Sequence, residues 1–306
     1  MMLWKKKRKN TIGCTKKLSE ICTLRLHEPL SKHCTMHIGG PAEAMAFPET
    51  IDEFIAVVDY CQRSNYAYRV VGNGSNIIFD DAGFAGVVIK TSKMKHISFI
   101  NDHQVYVEAG MSNQAFILQC HERNMGGLEY LYSVPGTVGG AIFMNAGRGK
   151  EHNLFIGQKV LSVDIWDGQT RRTLSARDCE FDNRQSVFHH HRDWIILGVL
   201  LVMKKISPEE GKELIRERME FVNANQHRML PNCGTVFRSG FHQTLFPQLP
   251  LRVGHIVTPN NNANWILNEG GALACQAMQL VEMIEEEHKK NNLPVPVREI
   301  EFIPTA

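Results

Sequence analysis

The chain has almost no charge of either sign to spare. Its 34 lysines and arginines stand against 32 aspartates and glutamates, a net charge of +2. Such a balance gives no general attraction to nucleic acid, so no nucleic-acid partner is expected. Long apolar runs are also missing. The longest, WIILGVLLVM at 194–203, is strand-sized, against the roughly 18 apolar residues of a membrane helix. No membrane insertion is therefore expected. Paired cysteines are missing too. The eight, at 14, 22, 34, 61, 120, 179, 233 and 275, form no CxxC and stand at no zinc spacing with histidines. Scattered free thiols suit a reducing compartment, and a cytoplasmic protein is expected. The basic run Lys5 to Lys9 is followed by a segment too polar for the core of a secretory signal. That run reads either as a solvated tail or as an arm for a membrane surface or nucleic acid. No repeat or low-complexity tract is present. Three consecutive histidines, His189 to His191, cannot all face one ion from a regular strand, so no metal site is expected there.

What is present is ordinary in bulk and particular in detail. With 306 residues, 43% hydrophobic and 22% charged, the chain can bury a large core and form two domains. Thr50 and Glu53 form a capping box before a helix whose buried stripe is Phe54, Ile55, Val57, Val58 and Cys61. Short strands follow at 68–72 and 76–79, then at VVIK and QVYVEAG. A helix is expected over 113–124, and a hairpin at 160–174 turns on Asp167-Gly168. WIILGVLLVM is a buried strand. Long helices are expected over 208–228 and about 272–291, and REIEFI closes the chain as a strand. This mixture argues an α+β fold in two lobes.

Two glycine clusters could carry chemistry. VVGNGSNIIF sets Gly72, Asn73, Gly74 and Ser75 between two apolar strands. Such a loop can be a hairpin turn, or its bare N–H groups can cradle a pyrophosphate. It fails the dinucleotide fingerprint: the third glycine is missing and strand residues follow where a helix is needed. VPGTVGGAIFMNAG holds Pro135-Gly136 and Gly139-Gly140 in two close turns, with Met144 and Asn145 after an apolar run. It suits a flat aromatic cofactor lying on bare backbone, though a plain connector stays open.

Together, VGNGSNIIFDDAGFAGVVIK (71–90) and GLEYLYSVPGTVGGAIFMNAG (127–147) resemble the two FAD loops of the UDP-N-acetylenolpyruvoylglucosamine reductase family. EPLSKHCTMHIGGPAEAMAFPET (28–50), CEFDNRQSVF (179–188) and ANWILN (263–268) resemble further segments of that family, in its order, over roughly residues 28–304. The resemblance implies an α+β protein with a vanillyl-alcohol-oxidase-type FAD-binding domain and a smaller substrate domain. The division expected is a basic arm at 1–27, an FAD-binding domain at 28–215 in two subdomains (about 28–92 and 93–215), and a substrate domain at 216–306.

It further implies FAD and NADPH as cofactors. The implied reaction is reduction of the enolpyruvyl group of a UDP-sugar in peptidoglycan precursor synthesis, by a monomer or weak oligomer. The implied flavin contacts are Val71, Gly72, Asn73, Gly74, Ser75, Asn76 and Ile77 in the first loop. In the second they are Pro135, Gly136, Thr137, Gly139, Gly140, Met144 and Asn145. The family's proton donor falls on Thr235, its arginine on Arg184 and its late glutamate on Glu299. Arg184, Arg238 and Asn264 are the implied substrate contacts.

The chain departs from the family at several points. Thr235 stands where a serine or cysteine is usual, Asn183 where a tyrosine is, and His37 where an arginine is. The segment 240–253 is shortened and lacks the usual acidic helix. Cys233, two residues before Thr235, is the other candidate acid, since alternation along an extended strand would put both on one face. The departures leave open two alternatives. One is a related flavin oxidoreductase acting on a different enolpyruvyl or nucleotide-linked substrate. The other is a flavin- or nucleotide-binding paralogue without turnover.

Overall fold

The computed structural model describes residues 11–149, 152–226 and 229–306. The basic run Lys5 to Lys9 lies outside them. Among the described residues the chain builds three larger sheets, each with its own apolar core and meeting around one cleft, and three two-stranded ones.

The first sheet has the strand order Thr23–Pro29, Pro41–Phe47, Phe84–Lys90, Tyr68–Val71. The first pair is antiparallel, with Thr23 opposite Phe47, and the others are parallel. The helix Ile51–Arg63 covers one face. The Thr50 hydroxyl accepts from the Glu53 amide at 3.1 Å, and Glu53 in turn takes the Glu49 amide at 2.8 Å. Phe54, Val57, Val58 and Cys61 are buried as the periodicity requires, with Ile55 half-buried at the edge of the stripe. The described part of the expected arm at 1–27 is regular structure. A helix spans Thr11–Ile21 and the edge strand starts at Thr23, because the alternating TLRLHEP can pair with Pro41–Phe47.

The second sheet has the order Arg171–Ser175, Val160–Trp166, Ile195–Val202, Gln104–Glu108, Ile97–Asn101, antiparallel throughout. Ile195–Val202 runs through the middle with nearly every residue buried. The helices Asn113–His121 and Val138–Phe143 pack on it. The long helix Pro208–Asn225 also belongs here, since Arg218 bonds Ser133 of this unit. The expected boundary at 215–216 thus falls within a helix, and the chain leaves this unit only after it.

The third sheet has the order Asn232–Thr235, Trp265–Asn268, Ile256–Val257, Arg252–Val253 under the helix Ala274–Lys290. The first unit holds it directly. The Thr35 hydroxyl donates to the Asn232 carbonyl at 2.6 Å, and the Asn268 amide to the Met36 carbonyl at 2.8 Å. Asp81 accepts from the Ala274 and Cys275 amides at 2.7 and 3.2 Å, capping the long helix from outside it. The chain then returns: Glu301–Ile303 pairs in parallel with Ile77–Phe79. This last pairing answers the hairpin question. Tyr68–Val71 and Ile77–Phe79 lie in different sheets, so residues 72–76 span a gap instead of turning a hairpin.

Candidate active site

A cleft of about 730 Å³ opens where the three units meet. Val71 to Ile77 form one wall, Ser133 to Thr137 with Gly140 and Met144 a second, and Asn232 to Thr235 with Glu299 a third. Glycine makes the first two walls fit. A Cβ on Gly72 would stand 2.5 Å from Thr137 Oγ1, and Thr137 cannot yield because it is buried and caps the helix Val138–Phe143. Gly74 has φ +67°, and its Cβ would stand 2.4 Å from the His33 carbonyl oxygen. The Asn73 side chain donates to the Gly136 carbonyl at 3.3 Å and ties the two loops together. Among the described residues, the amides of Asn73, Gly74, Ser75 and Asn76 donate to no protein group. The result is a cradle of bare N–H groups, a ready seat for the anionic part of a nucleotide cofactor.

Two of the implied flavin contacts, Gly139 and Asn145, do not line the cleft. Gly139 and Gly140 lie in the first turn of a helix, not in a tight turn of their own, because Thr137 caps it. Gly139 faces away from the cleft: its amide donates to the Ala109 carbonyl at 2.8 Å, and a Cβ would stand 2.7 Å from Ala109 Cβ. Asn145, with φ +40°, is buried. It donates to the Asp182 carbonyl at 2.7 Å and accepts the Gly157 amide at 2.9 Å. It borders a separate cavity of about 770 Å³ beside Phe155 and Phe181. Its effect on the cleft is indirect, through the turn that carries Arg184.

Arg184 sits in that turn with φ +55°. Its guanidinium donates to the Gly147 carbonyl at 2.8 Å and lies 3.4 Å from Glu299 Oε1. Glu299 is fixed along its backbone. Its amide donates to the Val236 carbonyl at 2.7 Å, and its carbonyl accepts from Asn76 at 2.8 Å. Burial pushes its carboxyl above the usual carboxylate range, while Arg184 and Arg238 pull the other way. Thr235, half-buried, ends the strand one residue before Val236 and faces the same cleft. Arg184, Thr235 and Glu299 are thereby brought together from three separate stretches of chain.

Cys233 does not share the exposure of Thr235. Gly234 has φ +73°, and the pairing with Trp265–Asn268 slips between Asn232 and Thr235. The bulge cancels simple alternation. Cys233 joins the apolar core with Val236 and Phe237, and burial pushes its thiol up to about 12. A Cβ on Gly234 would meet nothing within 4 Å, so the glycine serves backbone conformation there.

Two implied substrate contacts also change. The Asn264 side chain is fully engaged with the Phe237 backbone, accepting its amide at 2.8 Å and donating to its carbonyl at 2.9 Å. It stands in for a missing β-bridge and does not line the cleft. The Arg238 charge acts on both Glu299 and His189, its Nε is buried without a partner, and the residue does not line the cleft. The three histidines diverge. His189 packs at a tilt against Phe143 and His191 stacks on Trp194, with centroids 4.5 and 4.0 Å apart, while His190 is exposed.

Comparison with known proteins decides the lineage. Residues 42–173 match the family model for an FAD binding domain. The UDP-N-acetylenolpyruvoylglucosamine reductase of Carboxydothermus hydrogenoformans is 33% identical over 289 residues, covering 88% of this chain and 92% of the relative. The chain belongs to the UDP-N-acetylenolpyruvoylglucosamine reductase family. The reductase of Rubrobacter xylanophilus is 30% identical over 274 residues, covering 86% of this chain and 89% of the relative. The crystal structure of UDP-N-acetylenolpyruvylglucosamine reductase from Thermus caldophilus superposes with a TM-score of 0.74 at 25% identity, covering 92% of this chain and 98% of the other. As a member of the reductase family with a matching FAD binding domain, the chain is an FAD-dependent oxidoreductase of α+β fold.

The reductase-family cleft holds residues that the sequence did not single out. Thr35, Arg69, Ser133 and Arg218 line it, beside Glu301, which alternation along REIEFI already set on the face of Glu299. Glu301 pairs with Arg69 and, at 3.5 Å, with Arg192. Arg218 carried no such signal, because its helix holds two arginines and only the fold shows which one turns inward.

Proposed function

We propose that the chain reduces the enolpyruvyl group of UDP-N-acetylglucosamine enolpyruvate to UDP-N-acetylmuramate, with NADPH as reductant, in peptidoglycan precursor synthesis in the cytoplasm. The observation that carries this reading is the convergence of Arg184, Thr235 and Glu299 on the cleft that the two glycine loops line.

FAD fits the cradle of Gly72 to Asn76 and the surface of Pro135 to Thr137, and supplies hydride transfer when bound. The remaining work falls to this chain's residues. Reducing the enolpyruvyl double bond takes a hydride at the terminal carbon and a proton at the carbon bearing the carboxylate. Negative charge develops at that second carbon and spreads into the carboxylate. Arg184, held by Gly147, is the cation placed to stabilise it. Thr235 is the O–H donor placed to deliver the proton, and its β-branch limits the rotamers from which it can do so. Glu299 orients Arg184, and its raised pKa lets it hold or return a proton beside Thr235.

The test is product formation. FAD-loaded protein given NADPH and the enolpyruvyl UDP-sugar should accumulate a product two mass units heavier. No such product under conditions where the flavin is reduced would remove this substrate.

One observation favours a second reading. Asn183 borders the cavity beside Phe181 and not the cleft, so the aromatic contact usual there is absent from the substrate wall. A different enolpyruvyl or nucleotide-linked substrate would fit that change, and the same assay run with other enolpyruvyl ethers distinguishes the two.

A further inference from the structure

Arg148 and Arg218 reach the same aromatic ring from two different elements. Arg218 comes from the helix Pro208–Asn225, and Arg148 from the strand Gly147–Gly149. Their guanidinium carbons lie 5.6 and 5.2 Å from the centre of the Phe221 ring. Neither is paired with a carboxylate among the described residues. Other arginines differ. Arg216, two residues from Arg218, is clamped by Glu213 and Glu220, while Arg184 and Arg69 in the cleft face Glu299 and Glu301.

Arg218 is also anchored. Its Nε donates to Ser133 Oγ at 2.9 Å, and both residues line the cleft just before the loop Pro135 to Thr137. Its terminal nitrogens make no hydrogen bond to the described residues. Arg148 follows Gly147, whose carbonyl anchors Arg184. Burial and the neighbouring Arg148 charge both lower the Arg218 guanidinium's pKa, so the fold holds two like charges together against their repulsion. A guanidinium offers a planar fork of donors that matches phosphate oxygens, and Phe221 keeps both forks from turning away.

We propose that Arg148 and Arg218 form an anion-binding pair at the edge of the cleft, which takes the diphosphate of a nucleotide ligand. The proposal rests on the reading that this cleft takes nucleotide substrates. It adds where their charge is held. A diphosphate could come from the UDP-sugar or from the dinucleotide reductant, and the same two side chains would serve either.

The experiment uses FAD-loaded protein without turnover. UDP and inorganic pyrophosphate are titrated into the parent enzyme and into Arg148→Gln and Arg218→Gln variants of matched flavin content, followed calorimetrically. Each variant should bind both probes at least tenfold more weakly, and added salt should weaken the parent's binding more than the variants'. Arg218→Lys should recover part of the affinity, and it stands in if Arg218→Gln loses flavin. In turnover, the loss should fall mainly on KM. A rise confined to the UDP-sugar assigns the diphosphate to the substrate, and a rise confined to NADPH assigns it to the reductant. Probe affinities within twofold of the parent in Arg148→Gln and in the Arg218 variants would overturn the proposal. Pyrophosphate binding reads the pair by itself, so this result stands apart from whether the enolpyruvyl UDP-sugar is reduced.

Discussion

Arg184 and Glu299 meet in the cleft at 3.4 Å, one carried on a turn of the second unit and the other on the segment that returns from the third. Neither is placed by its own neighbours in sequence. Arg184 depends on Gly147 and on the turn that Asn145 steadies, and Glu299 on Val236 and Asn76. Replacing Glu299 with Gln should keep the flavin bound and slow substrate reduction by about a hundredfold, the scale of losing a charged catalytic partner. Burial raises the Glu299 carboxyl, so it takes up a proton at higher pH than a free glutamate. Its ionised form orients Arg184, so kcat/KM falls as pH drops through a value above that of a free glutamate, and that limb vanishes in Glu299→Gln. A pH–rate profile of the two enzymes checks both points.

Thr235 offers the simplest kinetic dissection. Thr235→Ala should reduce the substrate-dependent half of the reaction by about 10²–10⁴-fold, the usual contribution of a positioned acid. Flavin reduction by NADPH should be little changed. Thr235→Ser should stay within about tenfold of the parent, since the hydroxyl is kept. Stopped-flow traces of each half-reaction separate these effects, and an alanine variant that reduces substrate at full rate removes Thr235 from the chemistry.

The glycine cradle can be tested without any substrate. A methyl group at position 74 would meet the His33 carbonyl at 2.4 Å, in a conformation that L residues rarely adopt. Gly74→Ala should therefore purify with far less flavin than the parent, and bind added FAD at least about tenfold more weakly. Absorbance near 450 nm per protein gives the answer. Full occupancy in the variant would mean that the loop seats no cofactor.

Acid should loosen the third unit. His288 is fully buried, donating from Nδ1 to the Ile284 carbonyl at 2.8 Å and accepting the Phe241 amide at Nε2 at 3.0 Å. The ring of His242 packs against it with centroids 5.1 Å apart, and burial lowers its pKa to about 4. A histidine whose pKa is depressed on folding takes up its proton first in the unfolded chain. Stability is thus intact above the unfolded value of about 6.5, and is lost as pH falls from there towards 4. Melting temperatures measured across that window should fall, and His242→Phe should flatten the fall. An unchanged slope in that variant would place the acid sensitivity elsewhere.

Much of the frame was legible in the sequence because local rules governed it. The Thr50 cap, the period of Ile51–Arg63 and the buried run Ile195–Val202 all formed as patterned. The site was legible only in part. Residue type near a motif does not say which way an amide points, so Asn145 and Asn264 looked like ligand contacts while their side chains serve the backbone. Alternation misplaced Cys233, because the sign of φ at Gly234 is set by the slip against Trp265–Asn268. The parallel pairing of Glu301–Ile303 with Ile77–Phe79 joins distant segments, and no local signal announces it.

The central claim is that one cleft accepts reducing equivalents from NADPH and passes them to an enolpyruvyl UDP-sugar. Anaerobic stopped-flow absorbance tests it most directly. NADPH should bleach the bound flavin near 450 nm, and UDP-N-acetylglucosamine enolpyruvate added next should restore the colour without oxygen. A flavin that NADPH bleaches and that stays bleached after the UDP-sugar is added would contradict the account.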